Sequence, residues 1–486
     1  MIGIIFLSIF LLLMIGIGVW GMKKTTTLND FFLGGRSIGP WISAFAYGTS
    51  YFSAVLFIGF AGKLGWGFGL NVLWISLGNT LFGALLAWLI LGRRTRRMTQ
   101  NLEVMTMPEF LQERFQGKYI KIFSAIIIFT FLIPYSASVF KGLGHLFEIN
   151  FNISYDIALM IMIAITGIYL ILGGYFAITL TDFIQGIIML FGSVAMVTIL
   201  IGKAGGLSSS ISAIIQNYPM HIPLAKQPNM ILLISLVFMT SFGAWGMPQM
   251  VQKFYAIKNE KMIGVAAIVT TVFAVIIVFA AYFTGALTHI FYSPETLPMG
   301  AKGIAFDKII PDMLKANLPE YLMALILLLV LSASMSTLSS LVLVSSSSVA
   351  IDLYKGHINP NISKSNSLVM MRFLSGIFIV ISYFIARYDF GIIVTLMSLS
   401  WGAVSGSFMA AFVYGLYYKG ATKIGIASGM ATGLVLSIVL FFVLGPANSP
   451  IASSIAIIVP FFVIPVVSLF TKKVDKEILD KAFQNI

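Results

Sequence analysis

Runs of roughly 20 predominantly apolar residues, the length that crosses a bilayer as a helix, recur along this chain. Thirteen can be marked in its 486 residues, at about 1–21, 41–61, 67–92, 120–143, 155–172, 176–202, 229–250, 262–288, 320–348, 367–386, 390–415, 424–443 and 451–471. They are numbered here as spans one to thirteen. Backbone in lipid must satisfy its own hydrogen bonds, so these runs read as helices. Charged residues make up only 10% of the chain, where soluble proteins carry about 25%. That is too few to clothe a water-facing surface. A soluble enzyme, a secreted domain and a disordered protein are excluded. The expected class is an all-α polytopic membrane protein, with the lipid bilayer as its first partner.

Span one has no basic region before it and is followed by Lys23 and Lys24, so it reads as an uncleaved span rather than a signal peptide. With the N-terminus outside, 22 of the 30 Lys and Arg fall in inner loops and the tail, and seven fall outside. Flanking basic residues resist translocation, so the expected orientation in a bacterial-type plasma (inner) membrane is N-terminus outside and C-terminus cytoplasmic. The net charge of +13 is thereby explained by loops, and nucleic acid is not an expected partner. There is no cysteine, hence no disulfide or thiolate chemistry. The four histidines lack metal-ligand spacing, and no Walker lysine motif or paired-carboxylate arrangement stands out. The chain is not expected to be an enzyme or directly ATP-driven.

Two spans look interrupted. Span two carries Tyr47-Gly48-Thr49-Ser50-Tyr51 and Ser53 at mid-membrane. Glycine weakens a helix there, and hydroxyl side chains compete for its backbone bonds. Span seven carries Thr240-Ser241, Gly243, Gly246 and then Pro248, which removes a backbone donor. Spans two to six and seven to eleven are five helices each. An odd number makes the second unit enter the membrane from the opposite side. Two inverted units, each opening on a broken helix, are the pattern of a secondary transporter with its site near the midplane.

Asp182 lies about six residues into span six, roughly 9 Å deep at 1.5 Å per residue. A carboxylate at that depth reads either as a cation or proton ligand or as a cap in a structural network. Ser336 and Thr337 of span nine fall at a comparable level, as do Thr49 to Phe52 of span two. Carbonyls of a broken helix plus two hydroxyls could replace the water shell of sodium. Lys141, near the outer end of span four, could hold a substrate carboxylate or snorkel to headgroups.

The segments 30-DFFLGGRSIGP-40, 173-GGYFAITLTDFIQ-185, 248-PQMVQKFYAIKNEK-261 and 335-MSTLSSLVLVSSSSVAIDLYK-355 resemble those of the sodium/solute symporter family. The resemblance implies the leucine-transporter fold, with a first helix and inner loop (1–40), two five-helix repeats (41–228 and 229–423) and two peripheral helices with a tail (424–486). It implies sodium-coupled import of a small organic solute, an amino acid or other carboxylate, by alternating access. Sodium is the only cofactor it implies. Sodium ligands carried over are the main-chain oxygens of Thr49, Phe52 and Ala333, the hydroxyls of Ser336 and Thr337, and Asp182 in or beside the cation region. Substrate contacts carried over from the broken spans and their neighbours are Ser50, Tyr51, Ser53, Asn71, Trp74, Tyr135, Lys141 and Trp245. Tyr51, Thr240 and Ala244 depart from the pattern of the family's proline transporters, so proline itself is not carried over. Ala333 stands where some relatives place a hydroxyl for a second sodium. A proton-coupled or sugar symporter of the same fold is the alternative. A sensor or channel is less expected, since only residues 472–486 follow span thirteen.

Overall fold

The computed structural model describes residues 2–24, 32–172, 175–301, 303–388 and 390–485. Asp30, Phe31, Gly173, Gly174 and Lys302 lie outside the described residues. Each expected span falls on helix, among them Ile2–Lys24, Lys118–Phe151, Tyr175–Lys203, Ile263–Ala286, Glu320–Ser347 and Ile393–Tyr417. By length and apolarity, nine of the described helices can cross a membrane, or ten if a bent pair counts as one. The figure differs from thirteen for physical reasons. Helical winding runs on from Val55 to Asn101, joining spans two and three, and spans one and five, helical over Ile2–Lys24 and Tyr155–Leu172, are not among the nine.

Spans nine and eleven form the core. In each, 89% of the apolar window is buried inside protein, against 28% for spans ten and twelve. The core spans are the ones rich in Ser and Thr, as close packing and interhelical hydrogen bonding in lipid favour. Span nine packs on spans one, four and six and on the first half of span two. Spans two and eight cross so closely that a Cβ on Gly65 would lie 2.2 Å from the carbonyl carbon of Gly285. Only glycine on both sides permits that approach.

Both expected interruptions are present, by different routes. Span two winds regularly over Pro40–Tyr51, and Phe52 then turns extended (φ −110°, ψ 109°). Ser53 restarts it: its carbonyl accepts from Leu56 N at 3.0 Å and its hydroxyl from Val55 N at 3.2 Å. A wider-wound turn, Val55–Phe60, leads into Ala61–Phe68. Span seven winds over Met230–Phe242 and tightens over Gly243–Gly246. Met247 is extended, as a residue before proline prefers, and Pro248 opens Pro248–Ala256, where its missing N–H costs nothing. The halves meet at 48°.

Candidate cation and solute site

The break in span two presents its last helical carbonyls to span nine. Thr337 Oγ1 lies within hydrogen-bonding distance of three carbonyl oxygens, Thr49 O at 3.2 Å, Ser50 O at 3.4 Å and Ala333 O at 3.0 Å. Ser336 Oγ donates to Thr49 Oγ1 at 2.6 Å, which donates to Phe45 O at 2.9 Å. All these residues are buried, as is Phe52 at the break itself. The cluster is neutral hydroxyl and carbonyl oxygen from two helices. Such a hard donor set suits a small monovalent cation, which would exchange these mutual hydrogen bonds for coordination.

Asp182 is fully buried, and neither carboxylate oxygen has a hydrogen-bond partner among the described residues. Lys253 Nζ lies 3.8 Å from Oδ2. Lys253 also donates to Ser340 Oγ at 3.1 Å, and Ser340 shares a hydrogen bond with Ser50 Oγ at 2.9 Å. Asp182 is thus tied to the broken span through a lysine. Sequence reasoning counted Lys253 as a loop charge; the helix restarting at Pro248 carries it back into the protein. Its position five residues after that proline was the available signal.

Beyond the break, on the side away from the basic loops, is a small cavity. Phe52, Leu56, Phe60 and Met397 supply apolar wall; Tyr51, Tyr135, Tyr282 and Trp401 supply aromatic rings with polar ends; Ser53, Asn79 and Thr240 supply small polar groups. Among the described residues, no charged side chain lines it. The Tyr51 hydroxyl donates to Thr240 O, bridging the two broken spans. Asn79 Oδ1 accepts from Thr240 Oγ1 at 2.8 Å. The Trp401 indole N–H is buried without a hydrogen-bond partner among the described residues.

Of the expected substrate contacts, Tyr51, Ser53 and Tyr135 line this cavity. Ser50 instead turns to Ser340. Four more expected contacts are corrected. Asn71 and Trp74 are exposed on the bundle exterior, because Gly69 (φ 54°) and the tight turn Gly69–Val72 reset the phase of span three. Lys141 neither lines the cavity nor snorkels: its ammonium lies 3.2 Å from Asp307 Oδ2 and donates to Gly391 O at 2.8 Å. Trp245 is buried outside the cavity, donating to Phe82 O at 2.9 Å. Asn79, Thr240, Tyr282, Met397 and Trp401 were missed. Single polar or aromatic residues on an apolar helix give no periodic signal.

The sodium:solute symporter family model matches residues 31–433. The osmoregulated proline transporter of Bacillus subtilis is 30% identical over 427 residues, covering 86% of this chain and 84% of that one. A sodium/proline symporter of Staphylococcus aureus is 31% identical over 440 residues, covering 87% and 83%. Among solved structures, a sodium-coupled sialic acid symporter in a substrate-bound outward-open state is similar, with a TM-score of 0.81 at 17% identity over 98% of this chain and 99% of that one. A nucleobase-cation-symport-1 transporter gives a TM-score of 0.56 at 14% identity, covering 93% and 97%. These likenesses place the fold in the leucine-transporter type of inverted repeat.

Proposed function

Since the chain belongs to the sodium:solute symporter family and is a multi-pass sodium-coupled symporter of a small organic solute, we propose that its solute is a compact zwitterion with an apolar body, an amino acid of about the size of proline. The cavity beside the broken span carries this reading. Its walls are apolar and aromatic, and no charged side chain among the described residues lines it. Helix ends freed by a break can meet the two charges of a zwitterion without a net countercharge. With Lys141 held by Asp307, nothing in the lining favours a net anion such as a sialic acid.

Sodium is held between Thr49, Phe52 and Ala333 main-chain oxygens and the Ser336 and Thr337 hydroxyls, with Asp182 beside its inward path. Bound there, it fixes span two against span nine and shapes the cavity for solute. The coupling is reciprocal: each ligand raises the other's affinity by the same factor. At 100 mV each sodium contributes about 2.3 kcal/mol, roughly fiftyfold accumulation. The N-terminus is outside, and removing Lys253 from the loop charges leaves 21 of the 22 inner basic residues against seven outer ones. The repeats are 41–228 and 229–423, flanked by 1–40 and 424–486.

Uptake into proteoliposomes tests this. Under an inward sodium gradient at fixed pH, radiolabelled proline, alanine, a sialic acid and glucose are compared. Sodium-dependent uptake of an amino acid is expected, with no uptake driven by a proton gradient alone. Transport of only the sialic acid or glucose overturns the solute class.

A further inference from the structure

The basic side of the molecule holds a second small cavity beneath the helix Met107–Phe115. Thr106 borders it, with Gln252 and Tyr255 from the second half of span seven and Asp352 from the end of span nine. We propose that this vestibule is a second, weaker sodium-binding station, formed by Asp352 Oδ2, Gln252 Oε1 and Tyr255 Oη.

Gln252, Tyr255 and Asp352 are each more than nine-tenths buried. Those three oxygens have no hydrogen-bond partner among the described residues. The other polar atoms of the same side chains are committed. Gln252 Nε2 donates to Phe32 O at 2.9 Å, and Asp352 Oδ1 accepts from Thr106 Oγ1 at 2.8 Å and lies 3.6 Å from Lys121 Nζ. Bare buried oxygens are costly, and three around one cavity call for a shared partner. The donors are all oxygen, with one carboxylate, which selects a hard cation over a soft one.

The charges agree. Lys121 also lies 3.5 Å from Glu109, so among the described residues one ammonium faces two carboxylates and leaves one negative charge uncompensated. Arg36, the other cation close to Tyr255 among the described residues, gives its N–H groups to Thr99 and to the carbonyls of Val104 and Tyr255. A single surplus charge fits a monovalent ion; calcium gathers six to eight oxygens, several of them anionic.

Position fits too. Asp352 is sixteen residues past Ser336 on the same span, roughly 24 Å along it at 1.5 Å per residue. Ser340, bonded to Lys253, lies between. Sodium leaving the first site inward meets this station before the cytoplasm. Only that direction of travel rests on the orientation proposed above; the binding itself does not.

Equilibrium binding of ²²Na⁺ to the purified full-length protein in detergent, with choline replacing sodium, tests the station. The wild type is expected to show a tight and a weak class of site. The double variant Gln252→Leu/Tyr255→Phe leaves Asp352, Lys121 and Thr106 intact. It should weaken the weak class roughly tenfold or more and spare the tight one. Asp352→Asn should abolish the weak class; if it does not fold, the double variant decides. In Thr337→Ala the tight class should weaken roughly tenfold or more and the weak one stay unchanged, which separates failure of the first site from failure of this one. A single class in the wild type, or a weak class unchanged in the double variant, overturns the proposal.

Discussion

Spans two and seven are both broken, and both breaks are met by a hydroxyl from a core span. Thr337 of span nine reaches Thr49 O, and Ser405 of span eleven donates to Gly243 O at 2.6 Å. The surroundings differ. At span two the neighbourhood adds Thr49 Oγ1, Ser336 Oγ, Ser50 O and Ala333 O, all within one turn. At span seven the neighbourhood is packing: a Cβ on Gly246 would meet Met409 N at 2.8 Å, and one on Gly243 would meet the Trp401 ring at 2.8 Å. If span two holds the ion as proposed, an interrupted helix does not by itself make an ion site. Several oxygens must converge on the freed carbonyls; where glycine lets a neighbouring helix close in, the break becomes a tight joint.

The largest effect should come from forcing that joint open. Gly246→Val puts side-chain atoms into the backbone of span eleven, where neither helix can yield. Overpacking of this kind costs about 1–3 kcal/mol, and more when backbone must move. A marked fall in the yield of monodisperse protein and in thermal stability in detergent is expected. Stability equal to wild type would mean that the break in span seven is loosely packed, and the contrast with span two would fail.

Next comes the polar side of the comparison. Thr337→Ala removes one oxygen from the cluster while keeping the helix. Loss of a ligand of this strength costs about 1.5–3 kcal/mol, so the half-saturating sodium concentration should rise roughly tenfold or more while the sodium-free protein remains folded. Sodium titration of uptake, with thermal melting in choline as control, measures both. An unchanged sodium dependence would remove span nine from the ion site.

The two breaks were legible in the sequence because Gly, Ser, Thr and Pro interrupt an otherwise apolar run. The approach of Thr49 to Ser336 and Thr337 was legible from depth counting alone, since helix rise is fixed. Partners chosen by the tertiary fold were not. Lys141 looks the same whether it snorkels or pairs, and its partner Asp307 stands 166 residues further on. Lys253 was hidden because a bend of 48° returns its helix to the interior. Asn71 and Trp74 were misassigned because one left-handed glycine, Gly69, rotates everything after it. Trp401 and Met397 leave no trace among the other large apolar residues of their span.

Tyr51→Phe should have a smaller effect, felt at both breaks. The hydroxyl joins span two to Thr240 O on span seven, and its removal keeps the ring stacked on Phe52 and Trp401. A typical buried hydrogen bond contributes about 1 kcal/mol, so the solute concentration for half-maximal uptake should rise roughly fivefold, with sodium dependence shifted less. A sodium shift larger than the solute shift would place Tyr51 in the ion site rather than between the two spans.

Ser405→Ala should give the smallest effect and the cleanest contrast. It deletes the hydroxyl that meets Gly243 O, the counterpart of the Thr337 contact at the other break. If that hydroxyl only seals a packed joint, the cost is about 1 kcal/mol, or about 1–2 °C in melting temperature for a chain of this size. Sodium dependence should then stay within about twofold of wild type, because a change that alters no ligand energy shifts no binding constant. Hydroxyls at equivalent contacts would thus differ in kind, Thr337 moving the ion curve and Ser405 only the melting curve. A sodium shift in Ser405→Ala as large as that in Thr337→Ala would mean that the second break also handles the ion, and the division between polar and packed breaks would have to be abandoned.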